Sequence, residues 1–173
     1  MPVSFRHSAG FGKRMEYWIA GLMLKEGIDV YMPLIDDNGI DAVIRKPDGT
    51  FIEVQIKARS KDVSMGDAAL FAAITHEPRD NYYFVFYSER LEQFWIMSSE
   101  DFIKESNQNK TGKNVGKRSI WFNGKRKDKE TGVYSEHCHA KFDQYKVANF
   151  SKLVEIKERV EDDIVLEGGS DRL

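Results

Sequence analysis

Between Gly12 and Glu26 the apolar residues Met15, Trp18, Ile19, Leu22 and Met23 return at three- and four-residue spacings, and Gly27 follows them. That rhythm predicts an amphipathic helix with a glycine stop. Ile28 to Leu34 reads as a short extended run, closed by the turn-prone cluster Asp36-Asp37-Asn38-Gly39. Two strand-like runs come next, Ile40 to Arg45 and Phe51 to Ala58, with a reversal at Lys46-Pro47-Asp48-Gly49-Thr50 between them. Residues 62–77 carry Met65, Ala68, Ala69, Ala72 and Ala73 at loose helical spacing around Gly66, and predict a helix or an ordered loop.

Tyr82 to Tyr87 is a continuous aromatic and β-branched run, and Phe94 to Met97 follows it across a charged turn, so two buried strands are expected. Ser98-Ser99-Glu100-Asp101 reads as a helix start, with a serine cap and early acids ahead of Phe102 and Ile103. Trp121 and Phe122, then Val133-Tyr134, predict a hairpin around a basic tip at Lys125 to Lys129. Asn149 to Val160 predicts a closing helix, extending to about residue 162, through Phe150, Leu153, Val154 and Ile156. Strands interleaved with helices point to an α/β fold. At 173 residues the chain is expected to form one domain: a core over about 12–103, a basic embellishment over about 104–146, and a C-terminal helix with a fraying tail.

Charge changes this picture, because the net value of −2 hides an uneven distribution. From Lys104 to Lys129 there are nine basic residues, including Lys117, Arg118, Lys125, Arg126 and Lys127, against only Glu105 and Asp128. Such a segment is either a solvated loop or an electrostatic footprint for phosphates. The acidic stretch from Glu155 to Asp171 offsets it in the total. No apolar run approaches the ~18 residues that span a bilayer, and the N-terminus lacks the succession of a secretory signal, so a cytoplasmic protein without a membrane partner is expected. The single cysteine, Cys138, has no partner for an internal disulfide, in keeping with a reducing compartment. His137-Cys138-His139 lacks a nearby fourth metal ligand, and a hairpin strand accounts for it. Gly10-Phe11-Gly12-Lys13-Arg14 has no Walker spacing, which leaves Lys13 and Arg14 as candidates for touching nucleic acid near the helix start.

The densest chemistry lies in Phe51-Ile52-Glu53-Val54-Gln55-Ile56-Lys57-Ala58. Strict alternation puts Ile52, Val54 and Ile56 on one face of a strand and Glu53, Gln55 and Lys57 on the other. A three-residue loop at Pro47-Asp48-Gly49 would pair Lys46 with Thr50 and set Asp41 opposite Gln55, on the same face. A two-residue loop would flip that parity. Two carboxylates on neighbouring strands offer oxygen ligands to Mg²⁺ (or Mn²⁺), and a nearby ammonium can steady charge growing at a phosphorus. Glu16, beside Ile19 on the helical wheel, is expected half-buried and able to complete the shell through a water. The same alternation also describes the wet face of an ordinary antiparallel hairpin.

The order of a helical Glu16, then Asp41, then Glu53-Val54-Gln55-Ile56-Lys57 resembles the PD-(D/E)XK nuclease superfamily, with similarity to its Holliday junction resolvase-type members, over roughly residues 12–97. That resemblance implies a restriction-endonuclease-like core with a central mixed sheet flanked by helices. It further implies metal-dependent hydrolysis of DNA, and often a homodimer. Glu16, Asp41 and Glu53 fall at the acidic places of its motif and would hold the metal. Ile40 stands where the usual proline precedes the aspartate. Two alignments are open: Glu53-x-Gln55, or Gln55-x-Lys57 with glutamine replacing the acid. The basic segment then reads as a clamp on duplex DNA, or, with Trp121 and Phe122, as a stacking platform for unpaired bases. The rival reading is a nuclease-like module that binds DNA or protein without turnover.

Overall fold

The computed structural model describes residues 8–35 and 37–156. In chain order its elements are α1 (Ser8–Lys25), β1 (Asp29–Tyr31), β2 (Ala42–Arg45), β3 (Phe51–Arg59), β4 (Leu70–Ile74), β5 (Tyr82–Ser88) and β6 (Gln93–Ser98), then α2 (Ser99–Glu105). After these come β7 (Asn107–Gln108), β8 (Arg118–Trp121), β9 (Asn123–Lys127), β10 (Tyr134–Cys138), a 3-10 turn at Ala140–Tyr145, β11 (Lys146–Val147) and a second 3-10 turn at Ser151–Leu153. The architecture is mixed α/β around a six-stranded sheet in the order β1-β2-β3-β5-β6-β11. Its β3–β5 pair is parallel and its other pairs are antiparallel.

Helix α1 forms where the periodicity expects it and ends in a Schellman-type cap. Gly27, at φ +81°, donates to Leu24 O at 2.9 Å, while Ile28 N–H reaches back to Met23 O at 3.1 Å. Met15, Ile19 and Met23 point down onto Ile52, Val54 and Ile56 of β3 and close one core. Trp18 departs from the expected stripe. It is partly exposed and lies over Tyr87, with ring centroids 5.1 Å apart.

The opposite face of the sheet is covered differently. A parallel β3–β5 pair needs a crossover, and the chain between them runs through β4 rather than a helix. β4 joins β8 and β7 in a three-stranded sheet of order β4-β8-β7, which together with α2 roofs an aromatic core. Trp95 stacks on Phe122 at 4.5 Å and Phe84 meets Phe102 at 4.3 Å. The helix or loop expected over residues 62–77 is thereby corrected to turns followed by a strand. Phe71 turns into this core, and a register shift between Phe71 and Ile74 leaves Ala73 at φ +56°. Phe122, expected on a stacking surface, is fully buried, and Trp121 alone of that pair is exposed.

The Ser98 cap is as expected, its Oγ accepting from Asp101 N–H at 3.1 Å. Within residues 104–146, β8 pairs with β4, and the β9–β10 ribbon forms a separate two-stranded sheet. The helix expected over 149–162 is, among the described residues, the single 3-10 turn Ser151–Leu153, although Phe150 and Leu153 do close the α1 core. Residues 157–162 of that expectation, and the expected tail, lie outside the described residues. No helix among the described residues is long and apolar enough to cross a membrane.

Because Phe122 touches Trp95, Phe86, Phe71 and Phe142 at once, Phe122→Ala is expected to cost about 3–5 kcal/mol. Urea denaturation measures this, and a loss below about 1 kcal/mol would show that this roof does not hold the second core.

Candidate functional site

The β2–β3 hairpin takes the three-residue loop. Gly49 sits at φ +83°, Lys46 N–H bonds Thr50 O at 2.8 Å, and the ladder runs from Arg45↔Phe51 to Ala42↔Val54. With Ile52, Val54 and Ile56 committed to the α1 core, Gln55 and Lys57 face the other way, into a cleft of about 790 Å³ that is also lined by Phe71, His76, Arg79 and Tyr82. Gln55 is 9% exposed. The polar face of β3 is therefore not an open wet surface at Gln55, since the β4 crossover forms the far wall.

Asp41 enters just before β2, where regular pairing with β3 stops. Its amide bonds Val54 O at 2.9 Å, one residue off the register that would set it opposite Gln55. Its Oδ2 accepts the Ile56 N–H at 2.7 Å, so a buried carboxylate (7% exposed) replaces a strand's carbonyl as partner of β3. Asp41 is thereby held against the backbone between Gln55 and Lys57. Gly39, at φ +67°, makes this approach possible. A methyl group there would lie 2.8 Å from Gln55 Nε2 and 3.2 Å from the Tyr82 hydroxyl, which donates to Gly39 O at 2.5 Å. Burial pushes the Tyr82 phenol far above its usual range, opposed by Arg79 and reinforced by Asp41 and Glu53, so it stays a donor.

The other two expected acids point elsewhere. Glu53 Oε2 meets Arg79 Nη2 at 2.5 Å, and Glu53 does not line the cleft. Glu16 pairs with Lys13 at 2.5 Å on α1, the helix that packs on the face of β3 opposite Gln55 and Lys57. The structure thus gathers Asp41, Gln55 and Lys57 around residues 55–57, and leaves Glu53 with Arg79 and Glu16 with Lys13. Among the described residues no three His, Cys, Asp or Glu side chains form a group able to hold a metal ion. A carboxylate and an amide oxygen do fit a hard ion such as Mg²⁺, which needs one or two carboxylates, keeps several waters and takes phosphate oxygens in its other positions.

Sequence reading missed His76, Arg79, Tyr82 and Gly39. The His76 ring packs against Tyr82 and Phe84 at 5.0 and 4.8 Å, and its Nε2 lies 2.7 Å from Ser99 Oγ. Burial, aided by Arg79 and Arg118, lowers its pKa to about 4, so the ring is neutral at physiological pH. The turn signal at Asn38-Gly39 was visible, but nothing local tied it to Gln55 or Tyr82.

The basic residues divide by role. Lys125 and Lys127 share one face of the β9–β10 ribbon with Tyr134, their Nζ atoms 5.6 and 5.7 Å from its ring centroid, and Arg126 takes the other face. Among the described residues none of these three makes an ion pair with a carboxylate. Arg118, in contrast, donates to Ile103 O at 3.1 Å and ties α2 to β8. Lys117 is half-buried, and Lys13 and Arg14 lie on the exposed side of α1. His137 lies in β10 as expected, while His139 follows the strand and caps the 3-10 turn, and both rings lie close to Gly124.

No protein-family model matches the chain, and no curated protein matches it. Among solved structures the chain is similar to a bacterial homing endonuclease, I-Ssp6803I. The identity is 21% and the TM-score 0.41, over 65% of this chain and 88% of that one.

Two outcomes test this geometry. Gly39→Ala is expected to cost about 1–2 kcal/mol from the left-handed backbone alone, with further loss from crowding Gln55; an unchanged melting temperature would contradict the packing. His76 titrates near 4 when folded and near 6.5 when unfolded, so the unfolded chain takes up the proton first and stability falls as pH drops from 6.5 toward 4. His76→Gln should remove part of that fall, as read from urea midpoints at pH 7 and pH 5. Identical pH dependence in both proteins would show that His76 is not held neutral.

Proposed function

We propose that this chain is a metal-dependent endonuclease of the PD-(D/E)XK type that hydrolyses DNA phosphodiester bonds, with Gln55-x-Lys57 as its variant of the acid-x-lysine pair. The observation that carries this reading is the Asp41 carboxylate locked to the Ile56 amide, beside two polar side chains that open into one cleft. Of the two alignments, the one built on Gln55 and Lys57 is favoured because both of these side chains line the cleft, whereas Glu53 is occupied by Arg79.

In this reading Asp41 and the Gln55 amide oxygen would hold Mg²⁺ or Mn²⁺, and Glu16, paired with Lys13 on the helix behind β3, takes no part in the shell. Bound there, the ion would polarise a phosphoryl oxygen and lower the pKa of an attacking water. Lys57, which has no hydrogen bond or ion pair among the described residues, is left to orient that water and to steady the charge developing at phosphorus. Phe71 and Ile74 give the cleft an apolar stretch of wall, beside which such electrostatic effects would be stronger than in bulk water. Lys125, Arg126 and Lys127 would grip the DNA backbone, releasing counterions. The homodimer that the resemblance implies would present one such cleft to each strand of a duplex.

Asp41→Asn keeps an acceptor for the Ile56 amide while removing the charge, and Lys57→Met removes the ammonium. Each is expected to lower metal-dependent cleavage at least about 10²-fold while leaving DNA affinity nearly native. Native cleavage rates in both variants would sink the site, and binding without cleavage by the native chain would favour the module without turnover. Reversing charge at Arg126 and Lys127 together should flatten the dependence of log K on log salt by about two phosphates' worth, and an unchanged slope would remove the ribbon from the interface.

A further inference from the structure

We propose that Arg79 is a phosphate-binding side chain of this cleft, and that Glu53 is the positioning residue that aims it rather than a metal ligand. The proposal rests on the nuclease reading only in taking the phosphate to be a phosphodiester of DNA. Arg79 is held from several directions. Its Nη2 meets Glu53 Oε2 at 2.5 Å, its Nη1 donates to Asn38 O at 2.8 Å, and its guanidinium lies 4.5 Å from the Tyr82 ring centroid. Its own backbone N–H donates to Ser99 Oγ at 3.0 Å, which fixes the base of the side chain as well as its tip.

A guanidinium carries five N–H donors. Glu53 and Asn38 use two, which leaves three donors on a side chain already immobilised at the cleft wall. That is the state in which arginine binds a phosphate well, because the planar fork is oriented beforehand and little rotamer freedom remains to be lost. The charge around it agrees. Lys57, Arg59 and Arg79 line the cleft, with Glu77 as the only acid among its described lining residues. Glu53 neutralises part of the Arg79 charge and Glu77 offsets one further cation, so the side chains around the cleft still carry a net positive charge.

The pair has little value as a fold stabiliser. Its side chains are 30% and 38% exposed, a setting in which an ion pair contributes little to stability. Its geometry makes more sense as aim. Arg79 and Lys57 both line the cleft, so one phosphate there could meet two cations, the lysine as a point charge and the arginine as a fork.

Duplex affinity against salt, measured in chelator, tests the clamp without requiring cleavage. Arg79→Ala is expected to reduce the salt slope by about one phosphate contact, and Arg79→Lys to weaken binding less than Arg79→Ala. In the Glu53→Ala background, Arg79→Ala should cost clearly less affinity than in the native chain, because the guanidinium has already lost its aim. With Mg²⁺ present, Glu53→Gln, which still accepts from Arg79, should cleave within about threefold of native and need the same metal concentration, whereas Glu53→Ala should lose about tenfold. An unchanged slope in Arg79→Ala, or fully additive losses in the double variant, would overturn the clamp. A raised metal requirement in Glu53→Gln would make Glu53 a metal ligand and overturn its positioning role. A reduced slope in a chain that never cleaves would leave the clamp standing and remove the nuclease reading.

Discussion

The bond from the Ile56 amide to the Asp41 carboxylate is the constraint on which the site depends. Strand β3 gives its inward residues to α1, and this fixes which way every other residue of the strand faces. Where β2 stops pairing, an unsatisfied amide would be left buried, and a side chain rather than a strand supplies its acceptor. One substitution of partner thus ends the hairpin ladder, holds a carboxylate at the strand backbone, and keeps Gln55 and Lys57 turned toward the cleft. A slip of one residue in the Lys46–Thr50 turn would exchange the two faces and bury Lys57 beneath α1.

The cleft exists because the crossover between the parallel strands is not a helix packed flat on the sheet. It runs out to β4, joins a second sheet through β8, and returns past His76 and Arg79. Aromatic packing under that second sheet backs the far wall, while the near wall is the polar face of β3. A concave, cationic, partly apolar space follows from the topology, which is how a chain with a net charge of −2 can still present a site suited to an anion. The ribbon β9–β10 adds an exposed row of cations on a second surface.

Local signals carried much of this. The helical rhythm of Met15, Ile19 and Met23, the Pro47-Asp48-Gly49 turn and its register, the aromatic strands and the Ser98 cap were all legible, because each rests on interactions within a few residues. So was the facing of Gln55 and Lys57 to one side of β3, once the turn set the parity, whereas Asp41 sits one residue off the expected register, at the Ile56 amide. β4 was not legible, since its alanines mimic a helical face and its partner β8 lies far along the chain. Arg79 was equally hidden: its approach to Glu53 and Asn38 depends on that crossover's return path, and no periodicity encodes it. The closing helix failed for a different reason. Phe150 and Leu153 supply the apolar spacing, yet one 3-10 turn is enough to bury both.

The most direct measurement is cleavage by the native protein of a labelled panel of linear, supercoiled, single-stranded and four-way-junction DNA, with Mg²⁺ or Mn²⁺ and again with chelator. The account predicts strand breaks in at least one substrate that require the metal and disappear with chelator. Intact DNA throughout the panel, at protein concentrations where binding is saturated, would contradict it.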